Sequence, residues 1–271
     1  MNPELELVER VRKGDQAALR ELVDLAKSLV FNLAIRMLGS PADAEDATQE
    51  ILIRVVTGLE SFRGESALKT WIYRVASNHL LNAKKRRVEE LFEKTESLEQ
   101  NLDAGMVDPA PAVDDQILVT EAKLHCTSHM MLGLDRDHRL AFVLGEILEL
   151  AAEEGAAVLE ISPDAFRKRL SRARQRMAEL TSSRCGLVDP SKPCRCGKQM
   201  GRALRVGLFD PKTRPFTSIT QRQRAPTAPH VAALDGLSHA LSVFRSHPDY
   251  TAPETTTTAL RKLLTASPFA G

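Results

Sequence analysis

Residues 40–58 read Ser-Pro-Ala-Asp-Ala-Glu-Asp-Ala-Thr-Gln-Glu-Ile-Leu-Ile-Arg-Val-Val-Thr-Gly, and this stretch decides the fold class. Serine followed by proline is a helix start: the hydroxyl caps free amides, and the fixed φ of proline suits the first helical position. Gly58 closes the run. Between them Ala44, Ala47, Ile51 and Val55 recur at helical spacing, with Asp43, Asp46 and Glu50 as an acidic stripe beside them. The same signals repeat outward. Asn2-Pro3 opens a helix to about Lys13, and Gly14-Asp15 ends it and caps the next. That second helix carries Leu19, Leu22, Val23, Ala26, Leu29, Val30 and Leu33 on one face until Gly39. A fourth begins near Ser66 and passes through Leu68, Ile72, Val75 and Ala76 into the basic Lys84–Arg87.

Composition agrees with an all-α chain. Of 271 residues, 43 % are hydrophobic and 27 % charged, which is globular; only 4 % are aromatic, which disfavours a sandwich or barrel. A core serves roughly 100–200 residues, so the length predicts about two domains. Four cysteines are too few for a disulfide scaffold. The first residues lack a basic flank and apolar core, so no secretory signal is read. Leu29–Leu38 is interrupted by Asn32 and Arg36, and Leu140–Leu150 by Glu146 and Glu149. Neither reaches the roughly 20 apolar residues that cross a bilayer. The expectation is a cytoplasmic protein without membrane contact.

The formal charge of +1 hides a segregation. Lys84–Arg87 is wholly basic. Val88–Gln116 has nine acids and one lysine, and Pro163–Arg176 has six basic residues and one acid. Solvated faces and a flexible linker are one reading; two nucleic-acid contacts held apart by a tether that repels nucleic acid are the other. On the fourth helix Arg74, Asn78, Asn82 and Lys85 share a face, where Arg and Lys meet phosphates and Asn meets base edges. Phe62, Trp71 and Tyr73 are near enough to stack on unpaired bases. Trp71 lies on the Leu68 stripe and reads equally as core, whereas Tyr73 lies off it.

The run from Asp43-Ala44-Glu45-Asp46-Ala47-Thr48-Gln49-Glu50 through Phe62-Arg63-Gly64-Glu65-Ser66 to Trp71-Ile72-Tyr73-Arg74-Val75-Ala76 resembles region 2 of bacterial RNA polymerase sigma factors, in the extracytoplasmic-function (ECF) group. The resemblance covers roughly residues 5–90. It implies that Asp43, Glu45, Asp46, Gln49 and Glu50 dock on the β′ clamp helices of core polymerase. It also implies that Phe62, Tyr73, Arg74, Asn78, Asn82, Lys84, Lys85 and Arg86 melt and read the promoter −10 element.

Further on, Asp135–Glu146 reads as a helix with Leu140, Val143, Leu144 and Ile147 inward. Ala151–Leu159 and a helix opened by Ser162-Pro163 follow around a tight turn, the pattern of a helix-turn-helix. Phe166, Leu170 and Ala173 face the partner helix, leaving Arg167, Lys168, Arg169 and Arg172 outward. An ordinary helical hairpin has the same pattern. Leu134–Arg174 resembles sigma region 4, which implies that the outward basic residues read the −35 element and that this unit touches the β flap. Gly155, inside the first helix, costs up to about 1 kcal/mol against alanine and predicts a less rigid motif.

Cys185, Cys194 and Cys196 follow the helix-turn-helix as C-x8-C-x-C, and Cys126 stands between His125 and His129 at the start of the same unit. Three readings stay open: a zinc site of four cysteines, or of three with His125 or His129; redox-sensing thiols; and inert reduced cysteines. Beyond Arg195, Gly201–Pro229 reads as a loose connector, with helices near His230–Arg245 and Pro253–Leu264.

The expected organisation is therefore sigma region 2 at 1–90, an acidic linker at 91–116, region 4 at 117–184 and a cysteine-containing, regulatory extension at 185–271. No enzyme signature is present: Leu68 stands where a phosphate loop needs its second glycine, and H-E-x-x-H and G-x-S-x-G are absent. The expectation is a non-enzymatic sigma factor needing no cofactor, with zinc allowed by the cysteines. Its partners would be core polymerase, promoter DNA and, where one exists, an anti-sigma factor. The rivals are a polymerase-independent helix-turn-helix regulator and a metal- or thiol-responsive switch.

Overall fold

A computed structural model describes residues 3–84, 95–222 and 236–257. Four helices form the first unit: α1 (Pro3–Arg12), α2 (Gln16–Leu38), α3 (Pro41–Thr57) and α4 (Leu68–Asn82), with a 3₁₀ turn at Leu59–Ser61. Their ends follow local chemistry. Asp15 Oδ1 accepts from the amides of Ala17 (2.8 Å) and Ala18 (3.1 Å), and Gly39 ends α2 in the left-handed region at φ 66°. Ser40 Oγ accepts from Asp43 N–H at 3.3 Å, with Pro41 in the first turn. The start of α4 is different. Ser66 does not cap it; Glu4 Oε2, from α1, accepts from Leu68 N–H at 2.8 Å.

The acidic segment contains α5 (Thr95–Val107), so this linker is helical over much of its length rather than loose. The second unit is α6 (Gln116–Leu132), α7 (Arg136–Phe142, continued by a π turn at Val143–Ile147), α8 (Ala152–Leu159) and α9 (Pro163–Arg184). Asp115, Asp135 and Ser162 cap α6, α7 and α9. In the extension, α10 (Cys196–Arg205) ends within what reads as connector from Gly201. A 3₁₀ turn at Thr217–Ile219 leads to β1 (Thr220–Arg222), followed by α11 (Gly236–Arg245), β2 (Asp249–Tyr250) and a 3₁₀ turn at Glu254–Thr257. β1 and β2 pair antiparallel, Thr220 opposite Tyr250. The expected helix at Pro253–Leu264 shows only that last turn; its remainder, Asn2 and Lys85–Arg87 lie outside the described residues.

One continuous core joins the units. Leu22, Ile51 and Ile72 of the first, Phe142 and Phe166 of the second, and Phe216, Phe244 and Tyr250 of the extension all belong to it. Polar side chains lock the joints. Arg139 of α7 is buried and donates to the carbonyls of Met131 (3.1 Å), Leu132 (3.2 Å) and Leu134 (2.8 Å), and across to Met37 at the end of α2 (2.6 Å). Arg136, one turn earlier, donates to the Leu81 (3.0 Å) and Ala83 (2.5 Å) carbonyls at the end of α4. Carbonyls at a helix end have no partner within the helix, so each arginine satisfies groups the first unit leaves open.

The extension grips both units. The Asn32 side chain donates to Tyr250 O and accepts from Tyr250 N–H, both at 2.9 Å, pairing with that strand as a neighbouring strand would. Arg36, only 1 % exposed, donates to Pro248 O at 2.8 Å and lies 5.2 Å from the centre of the Tyr250 ring. On the second unit, buried Glu146 accepts from Arg174 of α9 and Arg245 of α11, each at 2.5 Å.

Candidate functional site

Along α3 the buried stripe of Ala44, Ala47, Ile51 and Val55 is as the spacing predicts, which sets Asp46 and Glu50 in solvent and leaves Asp43, Glu45 and Gln49 half-buried. Glu45 is not free: Thr255, in the last 3₁₀ turn of the extension, donates its hydroxyl to it. Glu50 lies 3.5 Å from His79 Nε2 of α4. Between α3 and α4 runs an open groove lined by Glu50, Arg54, Asn78, His79, Asn82 and Lys84. Arg54 and His79 belong to this face and carried no signal in the spacing of the sequence.

On α4 the structure separates the expected nucleic-acid residues into three groups. Asn78, Asn82 and Lys84 are exposed; Lys85 and Arg86 lie outside the described residues. Arg74 is half-buried and lies 3.7 Å from Glu160, in the turn after α8. Phe62 and Tyr73 are each only 3 % exposed, which corrects their expected availability for stacking in this arrangement. Phe62 meets the Trp71 ring edge-on at 5.7 Å, so Trp71 is core as its stripe position allowed. Tyr73 sits under Lys69, whose Nζ is 5.7 Å from the ring centre.

The α8–α9 hairpin has the geometry the pattern predicts. Phe166, Leu170 and Ala173 are buried, while Arg167, Lys168 and Arg172 are exposed and Arg169 is half-buried. Arg167 pairs with Glu153 (3.3 Å), Lys168 with Asp164 (2.9 Å) and Arg169 with Asp137 (2.7 Å). Exposed ion pairs of this kind are worth about 0–1 kcal/mol each, so phosphate can replace the carboxylates at little cost. Gly155 is not a weakness in the motif. A Cβ built there would lie 2.3 Å from Cζ of Phe166, so the glycine lets α8 approach the Phe166 ring. The absent side chain therefore serves packing, and the lower helix propensity is the smaller effect.

Comparison with known proteins shows the family of the chain. Residues 22–89 match the Sigma-70 region 2 family. The ECF RNA polymerase sigma-E factor of Escherichia coli (strain K12) is 34 % identical over 173 residues, 62 % of this chain and 89 % of that protein. The chain belongs to the ECF RNA polymerase sigma factors. ECF sigma factor SigW of Bacillus subtilis (strain 168) is 28 % identical over 173 residues, covering 62 % of this chain and 91 % of that one. A solved structure, "Structure of CnrH in complex with the cytosolic domain of CnrY", matches with a TM-score of 0.48 at 22 % identity, over 66 % of this chain and 97 % of that one. This sigma factor works with RNA polymerase to direct promoter-specific initiation, and it is a specificity subunit rather than an enzyme. Among the described residues no helix is long and apolar enough to cross a membrane.

The relatives are matched over nearly their whole length, while more than a third of this sigma factor has no counterpart in them. Where the extension meets α6 the cysteines come together. All four, Cys126, Cys185, Cys194 and Cys196, line one small cavity with Lys123 and Gln199. Burial, with the other three cysteines adding to it, pushes the Cys126 thiol well up; Cys196 is pushed up to about 11 by burial, with Cys185 and Cys194 adding to it. The two histidines do not join them. His129 donates from Nδ1 to His125 O at 2.8 Å, the two ring centres lie 4.0 Å apart with the planes tilted by 49°, and His125 meets Phe216 edge-on. Burial holds the His129 imidazole neutral, its pKa lowered to about 3. The acids of the linker pair too: Arg184 with Glu99 (3.4 Å) and Asp103 (3.1 Å), and Arg205 with Asp108.

Proposed function

We propose that this is the closed form of the sigma factor, in which the −10 and −35 readers are packed on each other and core polymerase must part them. The observation that carries it is the contact of α4 with α8, marked by Arg74 and Glu160 at 3.7 Å. Elements centred 10 and 35 base pairs upstream lie about 85 Å apart along B-DNA at about 3.4 Å per pair. Helices in side-chain contact do not span that distance. In this reading Asp43, Glu45, Asp46, Gln49 and Glu50 meet the β′ clamp helices, and the second unit meets the β flap. Asn78, Asn82 and Lys84, joined by Arg74, Lys85 and Arg86, track the −10 strand. Phe62 and Tyr73 reach bases only if the first unit rearranges on polymerase. Arg167, Lys168, Arg169 and Arg172 enter the −35 major groove.

The hydrogen bonds of buried Arg139 and half-buried Arg136 to the ends of α2 and α4 support a closed form with a measurable opening cost. Thr255 on Glu45 adds a reason to expect competition between the extension and polymerase at α3. The test combines transcription with distance. Purified chain and sigma-free core polymerase on genomic DNA from the same source are expected to give discrete 5′ ends that share two upstream elements. Spin labels on α4 and α9 are expected to move apart by tens of ångströms when polymerase is added. Specific binding to duplex promoter without polymerase, with no polymerase-dependent starts, would instead identify a stand-alone helix-turn-helix regulator.

A further inference from the structure

Three separate parts of the chain supply the cysteines that share the cavity. Cys126 is in the middle of α6, Cys185 follows the last turn of α9, and Cys194 and Cys196 lead into α10. The loop between them is held in shape. Cys185 and Cys194 are partners in a parallel β-bridge, with Gly186 N–H donating to Cys194 O and Cys194 N–H to Arg184 O, each at 3.2 Å. Paired residues of a bridge send their side chains to the same side. Arg195 is extended (φ −129°, ψ 131°), so Cys196 returns to the side of Cys194 while Arg195 turns away. The Arg195 guanidinium then latches the loop, donating to Lys192 O, to Cys194 O (2.9 Å) and to Pro190 O (2.7 Å). Gly186 makes this closure feasible, because a Cβ there would lie 2.5 Å from Cys194 O.

We propose that Cys126, Cys185, Cys194 and Cys196 bind one Zn²⁺ as a closed tetrahedral tetrathiolate that fastens the extension to the second unit. Zinc suits four cysteine sulfurs, and closed four-sulfur sites are structural ones. As the side chains stand, no group of three or more donors among the described residues is gathered to hold a metal. The backbone positions are supplied; the thiols must rotate about their Cα–Cβ bonds onto a common point. Four S–H bonds break, four protons pass to solvent, and four Zn–S bonds form. The resulting centre carries two negative charges, and its surroundings answer them. Lys123 lines the cavity with no carboxylate partner among the described residues, and its ammonium donates to Ser246 Oγ at 2.9 Å. Gln199 Nε2 donates to Cys194 Sγ at 3.6 Å and to Leu102 O at 2.8 Å, orienting one ligand and tying it to α5. The metal thereby ties α6, α9 and α10 to one another, and through Gln199 and the Arg205–Asp108 pair it steadies the linker. This inference does not depend on which residues read the promoter.

The experiment uses the full chain, purified without chelator from zinc-supplied cells and from cells supplied with cobalt instead. Elemental analysis is expected to find close to one zinc per chain. The cobalt form is expected to show the strong sulfur-to-metal charge-transfer and intense visible bands of a tetrahedral thiolate centre. C194S and C126S are each expected to weaken metal binding by about tenfold or more. Should either variant fail to fold, thiol counting on the wild type decides: four cysteines protected from a thiol reagent until a chelator is added support the site. Four thiols that react at once in zinc-loaded protein overturn it. So does wild-type protein that takes up neither metal, that takes up Cu⁺ but not Zn²⁺, or whose mass shows a Cys185–Cys194 disulfide lacking two hydrogens.

Discussion

The grip of the extension on α2 is shared by Asn32 and Arg36, and Asn32→Ala removes the Asn32 part with little change in shape. The wild-type amide serves the Tyr250 N–H and C=O, each at 2.9 Å, and its oxygen also accepts from Arg36 Nη1 at 2.9 Å. After substitution the Tyr250 backbone groups stay buried without their partner, and Arg36 loses one acceptor while keeping the Asn32 and Pro248 carbonyls. A buried polar group left unpaired costs about 1–3 kcal/mol. Two such groups, with water entering to relieve part of the loss, give about 2–4 kcal/mol. That is a shift of about 30- to 700-fold in the local opening equilibrium. The assay is amide hydrogen exchange of the full chain, read at Tyr250 and at Thr251, whose amide is bonded to Ile219 O at 2.8 Å. Both should speed up by that factor, while Ile51 and Leu52 in the buried stripe of α3 should not change. Asn32→Asp keeps the acceptor and loses the donor, so it should fall between. Exchange at Tyr250 unchanged within about twofold, the scatter of a neutral surface substitution, would show that Asn32 does not hold the strand.

Three further outcomes follow from the same reasoning. Gly155→Ala should lower the melting temperature, because overpacking against the Phe166 ring costs about 1–3 kcal/mol and outweighs a helix-propensity gain of up to about 1 kcal/mol; a higher temperature in a calorimetric scan would sink this. Arg139→Met should destabilise by about 3 kcal/mol or more, since four carbonyl contacts are lost together, and the loss should appear in denaturant midpoints. Asp108, held down to about 2 first by its hydrogen bond with Arg205, should titrate well below the ordinary carboxylate range by carboxyl NMR. Because its folded value is the lower one, the contribution of the Asp108–Arg205 pair to stability is complete above about pH 4 and is lost as pH falls toward 2. Arg205→Gln should return the titration toward about 4, and an unchanged midpoint would exclude Arg205 as the cause.

Much of this was open to reading because it is local. A cap such as Asp15 or Ser162 acts on amides two or three residues away, and the stripe on α3 repeats every turn, so both can be seen without knowing what packs where. The outward basic row of α9 follows from the same periodicity. Tyr73 is expected within reach of bases because it lies off the Leu68 stripe, but a position off the stripe says nothing of what a neighbouring element covers. That the acidic linker is held in place was not legible in the sequence, because the partners of its acids, Arg184, Arg202 and Arg205, lie 81 to 97 residues away.

The sequence by itself determined that the chain is helical, where most helices start, which family's polymerase- and promoter-reading surfaces it resembles, and that Asn32 and Arg36 interrupt an apolar run. Only the tertiary structure decided what those two polar residues serve, why position 155 must lack a side chain, and that cysteines 126, 185, 194 and 196 face one cavity. The physical reason is range. Caps and periodicity are set within a few residues, whereas a buried polar group takes whichever partner the fold brings to it, and Asn32 finds its own at Tyr250, 218 residues away.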